Sequence, residues 1–235
     1  MNTSKRCELR VNYLLILGCV GLSLWAWQPS QDPNFIDTNL VFSWKNLLAG
    51  RVWTLFTALF LHASPAHLFG NMLFLFVFGN TLEKMIGREY HLLVFFVGGF
   101  TAFLLPPALG IYPPDTGMLG ASAAIFTLAA CVMLMNPLKF SFLFMAPQGL
   151  VAIFYFAYNL VIVTTPILAS GFTYDPSIAY IAHIIGFTVG IPFGIAWSQR
   201  WKRNLLVTLG LFGIYLAILV ILATFFGLNV PLGVL

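Results

Sequence analysis

From Leu205 to Phe226 the chain runs without a charged side chain, and similar apolar runs recur along most of its length. A run of about twenty apolar residues is long enough to cross the hydrocarbon core of a bilayer as a helix. No soluble domain of 235 residues can bury a chain that is 60% hydrophobic and 8% charged, with 24 Phe. The fold class expected is therefore all-α, a polytopic membrane protein. The formal charge of +4 carries no nucleic-acid signal, because the placement of the charges matters more than their sum. Cys7, Cys19 and Cys131 form no spaced pair, so the sequence indicates neither a disulfide framework nor a zinc site. Each reads as a small apolar filler.

The order of the runs defines seven expected spans. Lys5, Arg6 and Arg10 precede the first, at 11–27. This run ends in Trp25-Ala26-Trp27-Gln28-Pro29 without a small-x-small cleavage site, so it reads as an uncleaved span and not as a signal peptide. An external loop follows at 28–53. In it Leu40, Val41, Trp44, Leu47 and Leu48 fall at helical spacing, as a short amphipathic helix on the membrane surface or as an ordinary loop. The apolar stretch 51–61 is too short to span. Ser64-Pro65 is a helix cap followed by proline at the first helical position, and it opens a span at 65–85. The next span, 91–105, is stopped by Pro106-Pro107; the one at 117–135 is stopped by Asn136-Pro137. A long span at 140–169 contains Pro147 and Pro166, Asp175-Pro176 opens 176–197, and the last span covers 205–226.

Lys and Arg set the orientation. With the N-terminus inside, the inner segments hold Lys5, Arg6, Arg10, Lys84, Arg88, Lys139, Arg200, Lys202 and Arg203, against only Lys45 and Arg51 outside. The N-terminus is thus expected on the cytoplasmic side and the C-terminus outside. Three spans then enter from outside with polar side chains near their starts. Ser122 follows Gly117, and His183 follows Ile178, each by about 7 Å along a helix. His67 and Asn71 share one face of the span at 65–85. The four groups sit at one level in the outer third. Close approach is built in as well: Gly186, Gly190 and Gly194 form a groove after His183, and Gly120, Ala121, Ala123 and Ala124 keep the start at Ser122 slim. A serine and a histidine alone in apolar helices suggest a nucleophile and its base.

These residues resemble the rhomboid intramembrane serine proteases. The resemblance runs from about Trp53 to Gly194 and rests on His62-(x)4-His67-(x)3-Asn71, Gly120-Ala121-Ser122-Ala123 and Ala182-His183-(x)2-Gly186-(x)3-Gly190. Glu83 with Arg88 and the long first loop are similar to the family pattern too. It implies a rhomboid-like six-helix core around a Ser–His dyad, with the span at 205–226 as an additional C-terminal helix. It also implies Ser122 as nucleophile, His183 as general base and later acid, and an oxyanion hole from His67, Asn71 and the Ser122 N–H. Phe126 takes the place of the aromatic that supports the histidine, without a hydroxyl. The span at 140–169 would line the lateral route for substrate. The chain departs from the family at Ala123, where glycine is usual and a methyl would crowd the partner helix or the scissile carbonyl. It departs again at Trp53-Thr54, where Trp-Arg is frequent.

Other classes fit less well. No His-Glu-x-x-His is present, and all four Asp (Asp32, Asp37, Asp115, Asp175) lie in outer loops, against a metalloprotease or an aspartyl intramembrane protease. A transporter would place ionisable groups at mid-membrane. The expected function is an intramembrane serine endopeptidase cutting single-span membrane proteins near the external face. The alternative is a rhomboid-like protein that binds or escorts membrane clients without cutting them. No metal or nucleotide cofactor and no nucleic-acid partner is implied; the partners are single-span substrates and the lipid bilayer. His62 reads as structural, His91 as interfacial, and Asn159, Tyr155 and Tyr158 as interhelical hydrogen-bonding groups. A chain without appended soluble domains points to a prokaryotic plasma membrane.

Overall fold

The fold is taken from a computed structural model, which describes residues 10–164 and 180–226. The expected features at Lys5, Arg6, Cys7, Pro166 and Asp175-Pro176 lie outside them. In chain order the helices are α1 (Val11–Ala26), α2 (Pro33–Asn39), α3 (Trp44–Leu48), α4 (Thr54–Phe60), α5 (Pro65–Phe74), α6 (Asn80–Ile86), α7 (Arg88–Ala108), α8 (Ser122–Met135), α9 (Gln148–Thr164), α10 (Tyr180–Trp197) and α11 (Trp201–Phe226). A π-helical stretch, Leu75–Gly79, joins α5 to α6, and a two-residue hairpin pairs β1 (Phe140–Ser141) with β2 (Ala146–Pro147). Among the described residues three helices, Arg88–Ala108, Tyr180–Trp197 and Trp201–Phe225, are each long and apolar enough to cross a membrane. A fourth candidate is the pair Thr54–Phe60 and Pro65–Ile86, bent by 91°. Val11–Ala26, Ser122–Met135 and Gln148–Val163 are shorter apolar helices.

Everything is arranged around α8. Every residue from Ala123 to Leu134 is buried, so this helix faces protein on all sides and not lipid. At ~1.5 Å per residue its 14 residues cover about 21 Å, against a hydrocarbon core of about 30 Å. A non-helical approach to such a helix is tolerated at membrane depth because the surrounding protein satisfies its backbone.

That approach corrects the expected span at 117–135. Residues 117–121 are not helical: Phe42 and Met118 form an antiparallel bridge, with Met118 N–H donating to the Phe42 carbonyl at 2.7 Å and Phe42 N–H returning at 3.2 Å. Gly120 N–H donates to the Ala58 carbonyl at 2.8 Å, at a φ of +113° that suits glycine. Ser122 is therefore the first residue of its helix, not the sixth. The first loop is what holds it there. Phe42 is fully buried and stacks on Phe103 of α7 (5.3 Å). Asn46 braces the loop by donating to the Asp37 and Val41 carbonyls, both at 3.0 Å. The helical spacing over 40–48 is thus split: α2 ends at Asn39, residues 40–43 are non-helical with Phe42 bridged to Met118, and only 44–48 is helical.

Two more boundaries differ from the sequence reading. Pro106-Pro107 does not stop α7, because a proline's fixed φ is itself helical. The stop is Gly110 at φ +70°, where Gly110 N–H bonds the Pro107 carbonyl and Ile111 N–H the Pro106 carbonyl, a Schellman closure. The expected span at 140–169 begins as the β1–β2 hairpin, and helix starts only at Gln148. Pro147 has no N–H to donate to an earlier turn, so a helix cannot run through it from 140 without losing a bond.

Polar side chains tie the other helices on. Glu83 accepts from Val11 N–H (2.8 Å) and Asn12 N–H (3.0 Å), supplying an N-terminal cap that α1 lacks locally. Asn12 in turn donates to the Leu75 carbonyl in the π stretch and packs against Gly79. At the other end of α8, Asn204 of α11 donates to the Leu134 (2.8 Å) and Met135 (3.2 Å) carbonyls. The α8–α10 contact is closest. A Cβ on Gly186 would land on the Ala123 carbonyl oxygen, one on Gly190 on the Thr127 carbonyl oxygen, and one on Gly194 would sit 2.9 Å from Leu134 Cβ. Thr127 Oγ lies 2.8 Å from the Gly186 carbonyl and Cys131 Sγ 3.3 Å from that of Gly190. The groove read from the glycine spacing is the seat of α8.

Gly186→Ala is expected to cost about 1–3 kcal/mol, the usual range for overpacking a tight contact. A Cβ on Gly210 meets nothing within 4 Å, so Gly210→Ala should not lower stability and can raise it slightly through helix propensity. Thermal unfolding of both variants in the same detergent checks the contrast.

Candidate active site

Ser122 and His183 meet. The half-buried serine opens α8, the buried histidine lies in the first described turn of α10, and Ser122 Oγ is 2.8 Å from His183 Nε2. The other ring nitrogen is engaged as well: His183 Nδ1 lies 2.7 Å from Oδ1 of Asn159, a residue only 1% exposed on α9. Asn159 is itself anchored, its Nδ2 donating to the Tyr155 carbonyl one turn earlier at 2.7 Å.

Ring packing holds the plane of the imidazole. Phe126, one turn after Ser122, stacks on His183 with centroids 4.7 Å apart and planes 12° apart. The stack continues from Phe126 to Tyr155 (4.6 Å, 18°) and from Tyr155 to Phe74 of α5 (4.6 Å, 19°). Phe126 thus supports the histidine face to face, and residues of α5, α8, α9 and α10 form one column of rings.

His67 borders the same space. The bare Cα of Gly120 faces it: a Cβ there would lie 3.0 Å from His67 Cε1, 3.1 Å from Nε2 and 3.9 Å from Ser122 Oγ. Ser64 caps α5 by accepting from His67 N–H at 3.2 Å, which places His67 in the first turn. Asn71 follows one turn later, mostly buried, with Nδ2 donating to the His67 carbonyl at 3.1 Å. Its amide carries a second proton for another acceptor. Ser122, as the first residue of α8, also contributes one of the N–H groups that an α-helix leaves without an intrahelical partner. Helix starts carry positive partial charge, so the space at Gly120 suits a developing negative charge.

The methyl of Ala123 finds room. It is 2% exposed and packs with Ala102 of α7 and Ala182 of α10. The crowding expected of it against the partner helix is relieved by alanine and by Gly186 on the facing helices. Thr54, where arginine is frequent, is fully buried with its hydroxyl on the Arg51 carbonyl at 2.7 Å, and Trp53 Nε1 donates to the Asn39 carbonyl at 2.8 Å. His62 lies against His67, edge to face at 5.1 Å, and is held from α1: Nδ1 is 3.1 Å from Ser23 Oγ, and Trp27 Nε1 donates to its carbonyl at 3.0 Å. His91 is fully buried at the start of α7.

Sequence reasoning gave Asn159 a generic interhelical bond and left the imidazole held by packing alone. A signal was present: a lone Asn in an apolar helix must satisfy both ends of its amide. Chemically, a hydroxyl on Nε2 of an imidazole fixed at its other nitrogen, beside a pocket of donors, can perform acyl transfer.

The Rhomboid domain matches residues 49–200. The chain is 26% identical over 189 residues to "RHOMBOID-like protein 12, mitochondrial" of Arabidopsis thaliana, covering 73% of this chain and 53% of that protein. It is 38% identical over 82 residues to "Putative rhomboid protease YdcA" of Bacillus subtilis, covering 34% and 39%. With "RHOMBOID-like protein 1" of Arabidopsis thaliana it shares 31% over 152 residues, 63% and 35% of the two chains. This is a membrane-embedded chain of the rhomboid family, to which it belongs on the domain match. It spans about half or less of the length of the curated relatives it matches.

Gly120→Ala puts an L side chain at positive φ and against the His67 ring. It is expected to cost about 1–3 kcal/mol of stability through backbone strain. It should also slow covalent labelling of Ser122 by a fluorophosphonate in the fraction that stays folded; thermal unfolding and in-gel fluorescence measure the two.

Proposed function

We propose that this chain is an intramembrane serine endopeptidase that cleaves single-span membrane proteins near the external face. The observation that carries the reading is the 2.8 Å approach of Ser122 Oγ to His183 Nε2 in a largely buried site. His183 takes the hydroxyl proton as Ser122 Oγ attacks the scissile carbonyl carbon. The resulting oxyanion is held by the Ser122 N–H with His67 and Asn71. His183 then hands its proton to the leaving amine as the C–N bond breaks, leaving an acyl-enzyme. A water that gives its proton to His183 attacks the ester, and His183 returns that proton to Ser122 Oγ as the C–O bond breaks and the acid leaves. Oxyanion donors in a water-poor site account for much of the rate in such chemistry.

In this reading seven spans, N-terminus inside and C-terminus outside, set the site in the outer third of the bilayer, with 1–235 as one rhomboid-like unit and α9 beside the substrate's lateral route. The charge asymmetry supports that orientation. The relatives carry mitochondrial and other plant names as well as a bacterial one, and they single out no one membrane, so the reading no longer favours a prokaryotic plasma membrane.

Purified protein in liposomes with a single-span substrate should release two fragments, and Ser122→Ala should release none. Asn71→Ala is expected to lower kcat by roughly 10²–10³ with a smaller change in KM. A folded wild-type protein that cuts no single-span substrate and leaves Ser122 unlabelled by fluorophosphonate would overturn the reading in favour of a client-binding relative.

A further inference from the structure

The hydrogen bonds around His183 have only one consistent set of directions, and it starts from a backbone carbonyl. The Tyr155 carbonyl oxygen can only accept, so the Asn159 atom 2.7 Å from it must be the amide nitrogen. A flipped amide would press two acceptor oxygens together. With Nδ2 so fixed, Oδ1 is the atom facing His183 at 2.7 Å, and it too can only accept. His183 Nδ1 must then carry a proton. In the neutral ring this leaves the lone pair on Nε2, directed at Ser122 Oγ 2.8 Å away, whose own proton points back to it. The other tautomer would face Asn159 Oδ1 with a lone pair and Ser122 with an N–H, and could not take the serine's proton.

We propose that Asn159 is the third member of a Ser122–His183–Asn159 triad, a positioning residue that fixes the tautomer of the general base. This rests on the endopeptidase reading for its catalytic meaning, though the tautomer itself does not. Burial supports it. Asn159 and His183 are 1% and 5% exposed, so little water competes for Nδ1. Phe126 restricts the imidazole to one plane by stacking, but stacking is indifferent to which nitrogen bears the proton. The ring stack and the amide thus have separate tasks: one sets the plane and the other sets the proton. During attack Nε2 gains the serine's proton, and the imidazolium formed keeps its Nδ1–H on Asn159 Oδ1; no proton passes to the amide.

The test compares wild type with Asn159→Leu, which removes both bonds at similar volume, and Asn159→Asp, which keeps an oxygen toward Nδ1. Each full-length protein is purified in detergent, checked by its thermal transition, and read in three ways: rate of fluorophosphonate labelling of Ser122, kcat and KM on a single-span substrate, and ¹⁵N shifts of the His183 ring assigned with His183→Gln. Wild type should show a protonated Nδ1 and an unprotonated Nε2. Asn159→Leu should lose that pattern and label about 10²-fold more slowly, the low end of what a general base contributes, with the loss in kcat and not in KM. Asn159→Asp, held neutral at this buried place with its hydroxyl on the Tyr155 carbonyl and its other oxygen toward Nδ1, should retain the pattern and most of the labelling. A folded Asn159→Leu that labels at the wild-type rate, or an Asp variant as impaired as Leu, would overturn the proposal. If the wild type neither cuts nor labels, the endopeptidase reading fails separately, and the ¹⁵N shifts still decide the tautomer.

Discussion

The rest of the structure depends on how closely α8 and α10 approach. At Gly186 and Gly190 the facing backbone oxygens of Ala123 and Thr127 occupy the volume a methyl would need. In a membrane the lipid is as apolar as the side chains, so helices associate through packing and hydrogen bonds, not through exclusion of water. Small residues are what make both available at once. The bonds from Thr127 and Cys131 to glycine carbonyls of α10 form only because no side chain intervenes. The same approach brings His183, one turn before Gly186, to Ser122, immediately before Ala123. Separate the helices by a methyl and the 2.8 Å contact opens with them.

Depth is solved by a different device. α8 covers less than the thickness of a hydrocarbon core, and its start is fixed by the first loop. The Phe42–Met118 bridge and the Gly120–Ala58 bond fix the non-helical approach that ends at Ser122. Burial of α8 by its neighbours makes this possible, because irregular backbone facing lipid would leave polar groups unsatisfied. The loop is thus part of the site's foundation although it contributes no side chain to it. Glu83 reaches back to α1 for a related reason: the first N–H groups of that helix have no cap in their own stretch of chain.

What could be read from the sequence was whatever depends on local pattern. Apolar runs gave the main helices, and glycines at four-residue intervals gave the groove. The isolated Ser122 and His183 gave the pair that meets. Phe126 was placed by the family resemblance, one turn after Ser122. Boundaries failed where distant residues decide them. Nothing between 117 and 121 announces that Phe42 will pair with Met118, so a small-residue run looked helical. Pro106-Pro107 looked like a stop because it breaks a bond, whereas Gly110 closes the helix because it can turn left-handed. Asn159 was visible as a residue but not as a partner, since its role requires knowing that α9 passes behind His183.

Why an amide stands behind the histidine and not a carboxylate follows from the surroundings. An ionised Asp at the place of Asn159, 1% exposed, would have to give up water with no cation beside it, and an unpaired buried charge costs several kcal/mol. It would also set an anion against the Tyr155 carbonyl. The amide supplies the one acceptor that Nδ1 needs and satisfies its own donor on that carbonyl, with no net charge to desolvate. The sacrifice is the weaker stabilisation of an imidazolium by a dipole than by a charge. In a low-dielectric interior that loss is smaller than it would be in water, because dipoles held in place act there with little screening. Among the described helices Asp occurs only at Asp37 in α2, and the residue that faces His183 Nδ1 is an amide; the same desolvation cost accounts for both.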